Sequence, residues 1–111
     1  IPFISDIKIP YLSDLFQSQE KDVAGNLELL RRTADLVDLG RPVMLGTSRK
    51  SFIGRVLGKD DPTGRLAGTL ATVALGYAGG ARLFRVHDVA AAREAARMAQ
   101  AVCKGAEWVG H

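Results

Sequence analysis

Pro42-Val43-Met44-Leu45-Gly46-Thr47-Ser48-Arg49-Lys50-Ser51 is the stretch on which the fold turns. Its apolar first half follows Gly40 and shows no polar alternation, which predicts a short strand buried on both faces, as in a parallel sheet. Its second half is polar and begins where such a strand would end.

Outward from this stretch, helical patterns alternate with strand patterns. On the N-terminal side, Val23, Leu27, Leu30, Ala34 and Val37 recur at steps of three and four, which predicts one amphipathic helix over 22–39. Asp22 can cap its start and Gly40 its end. On the C-terminal side, Ser51–Leu57 reads as a short helix stopped by Gly58, and Lys59-Asp60-Asp61-Pro62-Thr63 as a loop. A second helix is expected from Thr63 to Tyr77, ending at Gly79-Gly80. Its small residues Ala67, Gly68, Ala71 and Ala74 suit a close approach to a sheet. Ala81–His87 reads as the second strand, and Asp88 as the cap of an alanine-rich helix over Val89–Cys103. Strands alternating with helices predict parallel pairing through right-handed crossovers, hence an α/β fold. Residues 1–20, with Pro2 and Pro10, hold no sustained period beyond a short strand near Ile4–Ile9 and a helical turn from Ser13.

Composition narrows the function. The 111 residues are enough for one domain, and 47% hydrophobic with 24% charged content is that of an ordinary globular chain. The net charge of +3 comes from 15 basic residues dispersed among 12 acidic ones, so charge does not imply nucleic-acid binding. Cys103 is the only cysteine; it excludes an internal disulfide, fits a reducing, cytoplasmic compartment, and is expected to be a buried inert thiol. No basic n-region with an apolar core opens the chain. Leu66–Ala81, uncharged over 16 residues between Arg65 and Arg82, falls short of the roughly 20 that span a bilayer, so a buried helix is expected there and no membrane partner.

Chemistry is concentrated at the two strand ends, where ligands collect in α/β folds. The first ends in Ser48, Arg49, Lys50 and Ser51, the second in Arg85, Val86 and His87. Side chains alternate along a strand, so Arg85 and His87 share a face while Val86 points away from it. If the strands are neighbours, Arg49 or Lys50 meets Arg85 and His87 at one mouth. Arg supplies a bidentate fork, Lys a point charge and His a donor able to pass a proton, a set suited to a phosphate or carboxylate. Taken singly, the cations read equally as exposed loop charges. Gly46–Ser51 lacks the second glycine of a Walker phosphate loop, and there is neither a Cys/His cluster nor a His-Glu-x-x-His for zinc. Asp88 reads as a helix cap rather than a catalytic acid, His111 as exposed, and Trp108 as a packing or capping aromatic.

Gly46-Thr47-Ser48-Arg49-Lys50-Ser51-Phe52-Ile53-Gly54 and Arg85-Val86-His87-Asp88 after a Gly-Gly-Ala lead-in are similar to signatures of dihydropteroate synthase. Arg65-Leu66-Ala67-Gly68-Thr69 between them fits the same family. The resemblance covers about residues 21–102, leaving 1–20 as an unassigned segment before the barrel part at 21–111. It implies the last two strands and helices of a (β/α)8 TIM barrel, and a transferase joining 6-hydroxymethyl-7,8-dihydropterin pyrophosphate to p-aminobenzoate in folate biosynthesis. Carried over by position, Lys50 contacts the pterin, Ser48 and Ser51 border p-aminobenzoate, and Arg85 and His87 hold pyrophosphate. Arg49 matches the motif without a distinct role. Mg²⁺ is expected for the family, with its protein ligand on an earlier strand and so not in this chain. Of the Asp-Pro-Gly-x-Gly-Phe-Gly-Lys strand end that precedes the first helix in the family, only Lys21 remains; Gln17-Ser18-Gln19-Glu20 stands in place of the glycines. Only part of a site is therefore expected. The rival expectation is a non-catalytic partial barrel that forms a homo-oligomer or binds a partner through open strand edges.

Overall fold

The computed structural model describes residues 23–108. The expected strand over 4–9, the turn from Ser13 and the Asp22 cap lie outside the described residues. The elements in order are α1 (Val23–Arg31), α2 (Thr33–Val37), β1 (Met44–Leu45), α3 (Ser51–Leu57), a 3-10 turn (Pro62–Arg65), α4 (Leu66–Ala78), β2 (Leu83–Phe84), α5 (Val89–Lys104) and a closing 3-10 turn (Gly105–Glu107). The fold is helix-rich with one small parallel sheet, in which Met44 pairs with Leu83 and Leu45 with Phe84.

The helix expected over 22–39 is two helices. Arg32 leaves the helical region at φ −102°, ψ 23°, and the Thr33 hydroxyl donates to the Leu30 carbonyl at 2.8 Å, the back-bonding by which threonine bends helices. The buried stripe also differs from the apolar one. Gly25, Leu29, Thr33 and Leu36 are buried, while Leu27 is 44% exposed. The turn after α4 makes that choice: a Cβ on Gly79 would stand 3.0 Å from Thr33 Cβ, and one on Gly80 3.0 Å from Val37 Cγ2. Backbone seats against α2 there, and Gly80, at φ +111°, turns the chain in a conformation closed to most side chains.

The ladder is shorter than the apolar runs. Val43 and Ala81 are buried, but the Ala81 N–H donates to the Gly76 carbonyl at 3.0 Å, closing the end of α4. The Ala81 carbonyl accepts from the Arg82 guanidinium at 2.8 Å. The one donor of that residue is thus committed before pairing begins. At the other end, the Arg85 N–H donates to the Leu45 carbonyl at 2.9 Å, which carries the second strand into the site.

Leu29, Leu36, Val43, Leu45 and Ala81 form the core, with Leu30, Val37 and Phe84 packed on it. The helix α4 covers the sheet through Thr69, Thr72, Val73 and Gly76 rather than through its alanines. A Cβ on Gly76 would lie 2.3 Å from Leu45 Cδ1, and one on Gly68 2.3 Å from Ile53 Cγ2. Ridge-free backbone at these two positions lets α4 reach both β1 and α3. Before α4, the Asp61 carboxylate accepts from the Thr63 N–H at 3.0 Å and hydroxyl at 2.8 Å. These bonds hold its carboxyl below the usual value and turn the end of the expected loop into a 3-10 start, so α4 begins at Leu66. The expected stop after α3 stands, with Gly58 left-handed at φ 71°.

The helix α5 packs along α4 and has one buried residue, Ala92. Cys103 is exposed, contrary to the expected buried thiol, because the last turn of α5 presents it outward beside Val102, itself 71% exposed. Trp108 is half-buried, with the Lys104 ammonium 5.9 Å from its ring centroid. No helix among the described residues is long and apolar enough to cross a membrane.

Candidate functional site

The strand β1 leads into a turn closed by the Lys50 N–H donating to the Thr47 carbonyl at 3.1 Å. Arg49 occupies this turn at φ 59° and is the one non-glycine residue among those described with positive φ. A left-handed conformation costs a residue with a Cβ about 1–2 kcal/mol, so it persists only where contacts over-determine it. Three do so. The Arg49 N–H donates to Thr69 Oγ1 at 3.0 Å, its carbonyl accepts from Arg65 at 2.9 Å, and its guanidinium reaches the two Asp88 carboxylate oxygens at 3.3 and 3.4 Å.

Thr47 is fixed as well. Thr72 donates its hydroxyl hydrogen to the Thr69 carbonyl at 2.7 Å, so in the 2.7 Å contact between the Thr47 and Thr72 hydroxyls Thr47 is the donor. Two threonines one turn apart on α4 thereby hold both ends of the Thr47–Arg49 segment. Arg65 completes the frame by donating also to the carbonyls of Lys59 at 3.0 Å and Asp60 at 2.8 Å.

The end of β2 is cross-linked to this turn twice. The buried Ser48 hydroxyl accepts the His87 backbone N–H at 3.1 Å and lies 2.7 Å from His87 Nδ1. One residue on, Asp88 pairs with Arg49. Asp88 holds the N-cap position of α5, but its side chain makes no capping bond; the guanidinium has taken the carboxylate, which corrects the expected cap.

Between the two ends lies a cavity of about 390 Å³ lined by Gly46, Ser48, Lys50, Arg85, Val86 and His87. Lys50, Arg85 and His87 thus meet as the sequence predicts. Arg49 and Ser51 are not among the lining residues: the first is turned to Asp88, and the second opens α3. Val86, expected to point away, contributes to the lining. Sequence reasoning missed Thr47, Thr69, Thr72 and Arg65 as the frame of the turn. The available signal was the three-residue spacing of the two threonines on a buried helix face.

A mouth with two cations and a histidine can bind and neutralise an anion. It does not fit Mg²⁺, which takes carboxylate and water oxygens. Among the described residues no group of three or more His, Cys, Asp or Glu could hold a metal ion, and Asp88 is engaged by Arg49.

Two parallel strands with two intervening helices, and a polar mouth at their C-terminal ends, define an α/β unit of the kind that collects ligands at that end. The pterin binding enzyme family model matches residues 12–87, more than half of the chain and starting earlier than Lys21. The chain belongs to this family of pterin-binding enzymes. It is 45% identical over 82 residues to a dihydropteroate synthase of Synechocystis, covering 74% of this chain and 28% of that protein. It is 49% identical over 82 residues to an inactive dihydropteroate synthase 2 of Mycobacterium tuberculosis, covering 74% and 26%. The solved dihydropteroate synthase of Coxiella burnetii in complex with pteroic acid is similar at a TM-score of 0.70 and 42% identity, over 73% of this chain and 29% of that one. The chain therefore spans less than a third of the length of these relatives.

Proposed function

We propose that this chain carries the anion-holding part of a dihydropteroate synthase-like site, built on the last two strands of a (β/α)8 barrel. The reaction is condensation of 6-hydroxymethyl-7,8-dihydropterin pyrophosphate with p-aminobenzoate, giving 7,8-dihydropteroate and pyrophosphate. The observation that carries this reading is the mouth itself: Lys50, Arg85 and His87 converge on one cavity at the C-terminal ends of parallel strands. A relative similar in both sequence and structure has been solved with pteroic acid, a molecule that joins a pterin to a p-aminobenzoyl group.

As the bond to pyrophosphate breaks, negative charge grows on the leaving group. In this proposal Arg85 and His87 donate to that group, and donors already held in place stabilise it more as charge develops than before. Lys50 contacts the pterin, and Ser48 borders p-aminobenzoate while bonding His87. Ser51 and Arg49 lie outside the lining, so we assign Ser51 at most to the edge of the p-aminobenzoate site and Arg49 to holding the turn. Mg²⁺, expected for the family, would be held by residues other than these.

Isothermal titration of the chain with pyrophosphate and with a pterin analogue tests the reading. Saturable pyrophosphate binding, lost in Arg85→Ala and His87→Ala, is expected; no binding by the parent chain would sink it. Dihydropteroate formation is measured separately, because an inactive relative is as similar over this segment as the Synechocystis enzyme.

A second reading, a partial-barrel module that self-associates or binds a partner, is favoured by the apolar side chains on the outer faces of α4 and α5. Leu75 and Val102 are each 71% exposed and Met98 64%. Sedimentation equilibrium tests it: a monomer at all concentrations excludes self-association.

A further inference from the structure

The proposed anion site needs His87 to offer a proton donor, and the ring has two nitrogens that could carry it. Nδ1 lies 2.7 Å from Ser48 Oγ, and the same oxygen accepts the His87 backbone N–H at 3.1 Å. No protein hydrogen bond to Nε2 is present among the described residues, and His87 is exposed where it borders the mouth.

A serine hydroxyl has one hydrogen and two acceptor sites. With one acceptor site taken by the His87 backbone N–H, two arrangements remain for the ring. Either Nδ1 carries a hydrogen and donates to Oγ, or Oγ donates to an unprotonated Nδ1. The first leaves the Ser48 hydroxyl hydrogen without an acceptor, since both of its hydrogen bonds run to His87. Ser48 is only 8% exposed, so in that arrangement its hydrogen depends on a water in the mouth for an acceptor, and left unmet it costs about 1–3 kcal/mol. The second arrangement satisfies every group.

We propose that Ser48 is a positioning residue that fixes neutral His87 as the Nε2–H tautomer, so that the free edge of the ring presents a donor to an anion in the mouth. Ser48 acts through the histidine and need not touch the ligand. The proposal rests on the anion-site reading for its functional meaning but not for its geometry. The same serine joins the two strand ends across 39 residues of sequence, which couples the placement of His87 to that of Lys50 two residues beyond it.

The test is nitrogen-15 NMR of the imidazole ring in the chain labelled at histidine, with His111→Gln used to assign the two histidines. In the parent protein, with the ring neutral, Nδ1 is expected in the unprotonated region of the spectrum and Nε2 in the protonated region. Ser48→Ala should drive both signals toward the tautomer mixture of the urea-unfolded chain, and Ser48→Thr, which keeps the hydroxyl, should restore them. Pyrophosphate affinity should fall about tenfold in Ser48→Ala, the scale of one lost hydrogen bond to a charged group.

A parent His87 that carries its proton on Nδ1, or that already shows the unfolded mixture, overturns the proposal without any variant having to fold. So does a Ser48→Ala protein whose signals match the parent. A parent with the expected tautomer and no affinity for pyrophosphate would leave Ser48's role standing and remove the anion-site reading instead.

Discussion

Replacing Arg65 by methionine is expected to cost stability out of proportion to the exposure of the side chain. The guanidinium donates to three carbonyls, those of Lys59, Asp60 and Arg49, at 3.0, 2.8 and 2.9 Å. A hydrogen bond involving a charged group is worth about 1.5–3 kcal/mol, and a neutral one about 0.5–1.5. Two of the three are exposed, so we give each of these about 0.5 kcal/mol and the part-buried bond to Arg49 about 1.5, for a loss of about 2–3 kcal/mol. Methionine keeps an apolar stem of similar reach and isolates the polar contribution. The side chain lies in a groove that only a glycine leaves open: a Cβ on Gly54 would stand 2.5 Å from Arg65 Nε and 2.5 Å from the Lys59 carbonyl oxygen. Gly54→Ala should therefore destabilise as well, and it should cost less when Arg65 is already methionine. Urea unfolding followed by far-UV circular dichroism on the parent, the two single variants and the double variant measures both terms. An Arg65→Met protein within about 0.5 kcal/mol of the parent, or two substitutions that add without coupling, would refute the argument.

The strain at Arg49, at φ 59°, predicts that Arg49→Gly is more stable than Arg49→Ala by about 1 kcal/mol, since both lose the ion pair to Asp88 and only alanine keeps the Cβ; equal midpoints in urea would count against a strained turn. Gly76→Ala should lower stability by about 1–2 kcal/mol, because the new methyl meets buried Leu45 and this crowding outweighs the gain in helix propensity; a raised melting temperature would show that the sheet gives way easily. Asp61 has its carboxyl held below the ordinary value of 3.8, first by the Thr63 N–H and then by the Thr63 hydroxyl. Its stabilisation is thus complete above that value and lost as pH falls through the lowered one. The stability gap between the parent and Asp61→Asn should close over that acid interval, and a gap that widens there would contradict the capping role.

The alternation of helical and strand patterns, the glycine stops at Gly40 and Gly58, and the polar ends of both strands are legible without any structure. They rest on period and on local backbone preference, which each stretch of chain carries for itself. The strand ends likewise put forward Arg85, His87 and one of Arg49 or Lys50 as candidates, although strand alternation did not foresee that Val86 joins the lining. What tertiary structure alone decided is which group answers which. The apolar stripe of the first helix gave way to one containing Gly25 and Thr33, because α2 had to meet the backbone of Gly79 and Gly80. Arg49, a cation at the right place in sequence, is turned from the mouth by Asp88, and Asp88 is taken from its helix cap by the same contact. Ser48 finds His87 only because Met44 pairs with Leu83; a shift of that register by one residue would face each side chain the other way. Partners 39 residues apart are set by strand register and the packing of the crossover helix, and no local pattern encodes either.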